Sequence, residues 1–304
     1  MKRYFYIVCL LSVLSLYISC TKGDSGDEKA TQEEQLWQKF PADGEVKIMS
    51  FNVRYSGAKE TNPMNGWDFR KDACLTMILD HKPTLIGFQE AVYDTQWRFF
   101  LDELSAEYEG FGVGRDDGAG KGETMGIMYR KAEIRKLQEG TFWLSPTPDV
   151  CSKAVEWGAG CFRTATWGIF EHIPTGQQFF FMNTHLDGAS TRDHAMELIA
   201  ERIEMYNTDN LPVYLSADFN AQSGDKIFNH ISNTLKNTRL YAPAERSDHG
   251  PTTNGWTGKT TSIIDHIYCS KQLSVVEYRT IRDAYKDVKF LSDHYPIYAI
   301  VSLR

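Results

Sequence analysis

Apolar and polar residues alternate from Val46 to Val53 (VKIMSFNV), the period-two pattern of a strand with one face on a core. A shorter, continuous apolar run from Leu85 to Phe88 reads as a fully buried strand, and Arg70 to His81 between the two reads as a helix. Further strands are predicted at Met125–Tyr129, Thr166–Phe170, Phe179–Asn183, Val213–Leu215, Ile263–Tyr268 and Pro296–Val301, nearly all rich in β-branched or aromatic side chains. Ser190 to Tyr206 reads as a second helix, capped by Ser190 or Thr191, with Ala195, Leu198, Ile199 and Met205 on one face. Strands outnumber helices and do not alternate with them one for one. The pattern therefore predicts packed sheets flanked by helices rather than a strict βαβ chain. No Pro/Gly/Ser-rich break or internal repeat interrupts it, so residues 44–304 are read as one domain.

The first residues follow a different rule. Lys2 and Arg3 precede an apolar run, Tyr4 to Ile18, that is short for a membrane span and ends at Ser19-Cys20, which is a secretory signal peptide over residues 1–19. Its ending resembles a bacterial lipoprotein cleavage box, although Tyr17 stands where that box usually has Leu. Cys20 is expected to become the lipidated first residue of an extracytoplasmic, membrane-anchored protein, on the periplasmic face or the cell surface. Ordinary secretory cleavage and an uncleaved anchor are the alternatives. Residues 20–43, polar and acidic, read as a tether.

Composition narrows the class. A 42% hydrophobic and 24% charged chain of 304 residues is neither disordered nor a disulfide mini-protein. Loss of the leader takes Lys2 and Arg3 from the 33 basic residues, so the net charge of −7 becomes −9. Such a surface disfavours tight nonspecific binding of nucleic acid but leaves open the turnover of a phosphate ester at one metal-bearing site. Six cysteines without a Cys-x-x-Cys pair exclude a zinc ribbon or a thioredoxin-type motif, so metal chemistry is expected to use oxygen ligands. Cys151 and Cys161, ten residues apart in a loop of an exported protein, are expected to form a disulfide.

Polar residues gather at or just past the ends of the apolar runs: Asn52 in SFNVRY, Glu90 in LIGFQE, His185 in NTHLD, Asp218 and Asn220 in LSADFN, Asp265 in IDHIY, and Asp293-His294 in SDHYPI. One strand-end carboxylate is by default a solvated cap or turn former. Six segments of mutually compatible type, whose strand ends can converge on one sheet edge, are harder to explain that way.

With VGRDDGAGKGET, TFWLSPTPD and FRTATW between them, these segments resemble, in order from about Glu45 to Leu303, the endonuclease/exonuclease/phosphatase superfamily. The resemblance is strongest to its secreted bacterial members and deadenylase-like branch. It implies an α+β fold, a four-layer α/β/β/α sandwich of two mixed sheets with helices outside. It also implies Glu90 as the main metal ligand, with Asn52 beside it and Asp293 as a further contact. Mg²⁺, with Mn²⁺ as a substitute, suits such oxygen ligands. Asp218 would orient or deprotonate the attacking water and Asn220 would position the nucleophile or a phosphate oxygen. His294 would polarise the phosphate with Asp265 fixing its ring, and His185 would contact the phosphate from the other side, paired with Glu123 of KGET. Arg163 of FRTATW is a charge clamp, and Trp256 is the one indole given a substrate role. Two departures stand out: Ala217 replaces the usual Gly before DFN, and Ile263 stands where an Arg often precedes IDxI.

The expected function is Mg²⁺-dependent hydrolysis of a phosphodiester, in a nucleic acid or nucleotide, by in-line attack of an activated water on a monomeric enzyme. The rivals are a phosphomonoesterase or lipid-headgroup phosphodiesterase and a non-catalytic binding lipoprotein. Ser247-Asp248-His249 nearly repeats Ser292-Asp293-His294. It runs into a Pro-Thr-Thr-Asn-Gly loop rather than a core strand, and is read as a decoy.

Overall fold

The computed structural model describes residues 41–303, so the leader, Cys20 and most of the tether lie outside the described residues. The first strand, β1 (Glu45–Asn52), runs parallel to β2 (Leu85–Gln89) and is linked to it by α1 (Trp67–His81). No Gly or Pro interrupts α1. It ends where Lys82 turns left-handed (φ 44°) ahead of Pro83, whose ring disfavours further helix. Then follow β3 (Ala91–Val92), α2 (Arg98–Glu103), β4 (Tyr108–Phe111), β5 (Glu123–Thr124), β6 (Ile127–Arg130), β7 (Ile134–Trp143), β8 (Thr164–His172) and β9 (Gln177–His185). The chain closes with α3 (Arg192–Tyr206), β10 (Val213–Asp218), β11 (Leu235–Asn237), α4 (Thr238–Tyr241), β12 (Asp265–Ser270), β13 (Val275–Thr280) and β14 (Ile297–Ser302).

Two six-stranded mixed sheets result, in the orders β13-β14-β1-β2-β6-β4 and β11-β12-β10-β9-β8-β7. Their inner faces meet, and the alternation along each strand decides which residues do so. Val46 and Ile48 of β1, Phe179 and Phe181 of β9, Tyr214 of β10 and Ile267 of β12 fill the space between the sheets. The intervening Met49 and Phe51 pack instead with Met77 and Ile78 of α1, while Phe180, Met182 and Leu215 pack with Ala195, Met196 and Ile199 of α3. The four-layer α/β/β/α sandwich follows from these three cores.

The inner layer changes character along its length. Past the apolar floor, the same inward positions carry Ser50, Gly87, Gln89, Asn183 and Ser216. Gln89 Nε2 donates across the sheets to Asn183 Oδ1 at 2.7 Å and within its own sheet to Ser50 Oγ at 3.1 Å. Ser216 Oγ donates to the same Asn183 oxygen at 3.0 Å. Gly87 makes the close approach possible, since a Cβ there would lie 2.3 Å from Ser216 Oγ and 2.4 Å from Asn183 Oδ1. Gly87→Ala is expected to destabilise the protein by about 2 kcal/mol or more, because the added carbon must displace Ser216 Oγ and Asn183 Oδ1 and break the hydrogen bonds they make. Urea unfolding measures it, and a loss under about 0.5 kcal/mol would show that the layer yields.

The expected elements are present, five of the ten with longer bounds, while the strand expected from Met125 begins at Ile127. The helix expected from Ser190 begins at Arg192 after Thr191, and Met205, expected on its buried face, is 57% exposed. Ile263 and Ile264 precede β12 rather than belonging to it. The expected Cys151–Cys161 disulfide is corrected: Cys74, Cys151, Cys161 and Cys269 are free thiols. Cys151 Sγ instead points to the carbonyls of Asp116 and Arg115, at 3.4 and 3.8 Å.

Candidate active site

One more step along the inward positions passes from the amide layer to charge. β1, β2, β9 and β10 end at one edge, and the antiparallel partners β12 and β14 begin there. Strand register alone sets Asp218 opposite His185 on one side and Asp265 on the other. Asn52 Nδ2 donates across the gap between the sheets to Asp218 Oδ2 at 2.9 Å and, on its own side, to Glu90 Oε1 at 3.0 Å, while its Oδ1 accepts from Arg54 N. Glu90 and Asn220 leave their strands with φ of 60° and 50°. Such left-handed turns cost a non-glycine residue roughly 1–2 kcal/mol and are retained where they aim a side chain. Asn220 N caps Asp218 Oδ1 at 2.9 Å, and its Nδ2 donates to Leu186 O and lies 3.1 Å from His185 Nε2. His294 Nδ1 lies 3.1 and 3.0 Å from the two oxygens of Asp265 and 3.8 Å from Asp218 Oδ2.

Asn52, Glu90, His185, Asp218, Asn220, Asp265 and His294 thus form one constellation. Two overlapping triads, Glu90/His185/Asp218 and Asp218/Asp265/His294, each bring one ligand atom per residue within 4.8 Å. Burial and the neighbouring Asp265 push the Asp218 carboxyl up to about 7, against the pull of His294 and the hydrogen bonds of Asn220 and Asn52. Burial works against a charge on His294, yet Asp265, Asp218 and Asp293 outweigh it and hold the ring cationic well above the usual histidine range. His185 is the reverse: burial, then Arg163, His294 and Arg115, drive it well below that range and keep it neutral. Carboxylates crowded in a buried edge, with oxygen and imidazole donors converging, have the chemistry of a divalent-cation site.

The other expected residues lie at the margin. Asp293 falls outside both triads and pairs with Arg54 at 3.4 Å. Arg54 also bonds Glu60 at 2.9 Å and had no expected role, although it stands within SFNVRY. The expected pairing of Glu123 with His185 is corrected: Glu123 takes Arg115 Nη1 at 2.6 Å, and His185 Nδ1 is buried without a partner. Arg163 approaches Asp187 at 3.6 Å, while its Nε and Nη1 are buried and unpartnered. Trp256 is half-buried, its ring over the guanidinium of Arg70 at 5.2 Å. Arg70 itself is spent on the carbonyls of Val53, Asn65 and Leu291. Ala217 does not narrow the site, because its side chain lies on the opposite face of β10 in the core against α3.

The profile of the endonuclease/exonuclease/phosphatase family matches residues 49–294, the span that holds every one of these groups. The chain belongs to the endonuclease/exonuclease/phosphatase family. Members of this family are metal-dependent phosphoric ester hydrolases. A family protein from Bacteroides thetaiotaomicron is 30% identical at a TM-score of 0.79, over 87% of this chain and 99% of its own. A mannosyl-6-phosphatase from the same organism is 30% identical at 0.76, over 84% and 99%. The catalytic domain of human Nocturnin, solved with a sulfate anion, is 17% identical at 0.66 over 86% and 94%, a likeness of fold alone. No curated protein matches the chain.

Proposed function

We propose that this family hydrolase acts on small phosphate esters, monoesters before diesters, with Mg²⁺ or Mn²⁺ as its cation. The observation that carries the reading is the charge arranged beyond the carboxylates. Cationic His294 stands at one side, and at the other Arg163 keeps two buried nitrogens without a partner beside neutral His185. A doubly charged terminal phosphoryl group can use all of these donors, whereas a singly charged diester leaves part of them unmatched. The acidic net charge of −7 and the 30% identical mannosyl-6-phosphatase support the same order.

Within that reading the residues divide the work. Asp218, fixed by the Asn220 amide and Asn52, orients the attacking water and accepts its proton. His294, its Nδ1 held by Asp265, places a positive charge against a phosphoryl oxygen, and Arg163 and His185 meet the others. Asn52, Glu90 and Asp218 would hold the cation, which when bound neutralises charge on the phosphoryl oxygens.

The test is turnover of p-nitrophenyl phosphate, bis-p-nitrophenyl phosphate, a mannosyl 6-phosphate, single-stranded RNA and plasmid DNA, each with Mg²⁺, Mn²⁺ or EDTA. The monoesters are expected to lead the diesters by about tenfold or more in kcat/KM, and EDTA to abolish turnover. A diester that leads by that factor overturns the preference, and full activity after exhaustive chelation overturns the metal dependence.

A further inference from the structure

The loop read as turn composition, Pro251 to Gly255, is clipped to both members of the Asp265–His294 pair. Thr252 is fully buried. Its Oγ1 accepts from the backbone amides of Ile264 and Asp265, at 3.0 and 3.2 Å, and lies 2.6 Å from Asp265 Oδ2. A hydroxyl has one proton and two lone pairs. With both lone pairs facing N–H groups, the proton has one destination, and Thr252 donates to the Asp265 carboxylate.

The backbone of the same segment holds the other partner. Tyr295 N donates to Thr252 O at 2.7 Å, Asn254 N and Gly255 N donate to Asp293 O at 2.8 and 3.0 Å, and Thr253 bridges His294 in antiparallel fashion. Asn254 Nδ2 adds a bond to Ser292 O at 2.8 Å. The start of the clip is anchored in turn. Arg239 donates to Gly250 O at 2.9 Å, and Arg282 pairs with Asp248 and donates to Pro251 O. Asp248 of the near-repeat therefore has an anchoring place, outside the triads.

We propose that Thr252 is a positioning residue for hydrolysis: through its bond to Asp265 it sets the ring of His294, and residues 252–255 keep the pair a single unit. Asp265 alone can be approached by His294 from a range of angles. Committing one carboxylate oxygen to Thr252, with the carboxylate's own backbone amide tied to the same hydroxyl, removes that freedom. The site has no Arg at position 263, and Thr252 supplies the support that the Asp265 turn needs. Thr252 has no place at the substrate, so its loss should slow the chemical step and leave binding nearly untouched.

The inference rests on the hydrolytic reading of the site, and the experiment separates the two. Turnover of whichever ester of that panel the wild type hydrolyses fastest with Mn²⁺ is measured for the wild type, Thr252→Val, Thr252→Ser, His294→Ala and the Thr252→Val/His294→Ala double variant. Thr252→Val is expected to lower kcat about 10- to 100-fold with KM changed less than about threefold, as for a small misplacement of a reacting group. Thr252→Ser, which keeps the hydroxyl, should stay within about threefold of the wild type, and Thr252→Val should cost under about twofold when His294 is already gone. An active wild type matched in kcat by Thr252→Val overturns the inference alone. So does a Ser variant that falls as far as Val, or an undiminished cost in the His294→Ala background. A wild type without metal-dependent turnover overturns the hydrolytic reading and the inference with it. Thr252→Ala, small enough to be accommodated, takes the place of a Val variant that does not fold and is held to the same outcomes.

Discussion

Replacement of His294 by alanine is expected to lower kcat about 100-fold or more without unfolding the protein, the scale of losing a major charge contact in the transition state. His294 is the one imidazole at the site that its surroundings keep protonated, and Asp265 grips it through Nδ1, leaving Nε2 for the substrate. Its side chain is 12% exposed and precedes the core strand β14, so removing it empties part of the site and leaves the sheet intact. His249, in the near-repeat, is exposed on the loop that Asp248 and Arg282 anchor, and His249→Ala should leave kcat within about twofold. Steady-state kinetics on both variants, with circular dichroism to confirm folding, decides between them. A folded His294→Ala enzyme of near-normal kcat beside an inactive His249→Ala enzyme would move the site to the other Asp-His pair.

The constellation was legible because inward strand positions obey a period of two and the chemistry lies where that period runs off the sheet edge. In β1, one alternating series runs Val46, Ile48, Ser50, Asn52, and in β10 Tyr214, Ser216, Asp218. Elements without that contrast were missed. β7 carries Arg135, Lys136, Gln138 and Glu139 because it is an edge strand with a register shift between Lys136 and Gln138, so no apolar stripe marks it. β13 hides a fully buried Glu277, which takes the Tyr298 hydroxyl at 2.6 Å and Arg246 at 3.3 Å, where a pattern reader sees a surface charge.

Partners chosen by the fold rather than by residue type were the other gap. Residue types place Glu123 near the site, yet only the fold shows that Arg115, eight residues earlier across a glycine-rich turn, claims its carboxylate ahead of His185. Arg54 and Thr252 left no signal beyond their neighbours, the first lying inside a strand-end motif and the second inside turn composition. A side chain that acts by holding another has no residue type of its own to announce it.

Asp218→Asn is expected to separate what the site costs from what it does. Activity should fall by about 100-fold or more, since the amide neither accepts the proton of the attacking water nor adds charge for a cation. Stability should move the other way in the absence of metal. The Asp218 carboxyl stands at about 7 in the folded protein, against about 3.9 in an unfolded chain. The native state therefore holds this proton more tightly, and the stability tied to it is present at low pH and lost as pH rises through the folded value. By pH 8, in EDTA, the wild type bears the repulsion between Asp218 and Asp265, offset in part by His294, and the variant bears none of it. After allowance for a weakened bond to Asn52, the variant should be more stable there by on the order of 1–3 kcal/mol, and the gain should shrink towards pH 5. Adding Mn²⁺ should raise the wild-type Tm at pH 8 more than that of the variant, because the wild type has the Asp218–Asp265 repulsion for the cation to relieve and one more carboxylate to bind it. Thermal unfolding of both proteins at pH 5 and pH 8, with EDTA or Mn²⁺, reads all of these at once. A metal-free variant less stable than the wild type at pH 8 would mean that Asp218 is satisfied by its hydrogen bonds alone, and that the acidic edge does not wait for a cation.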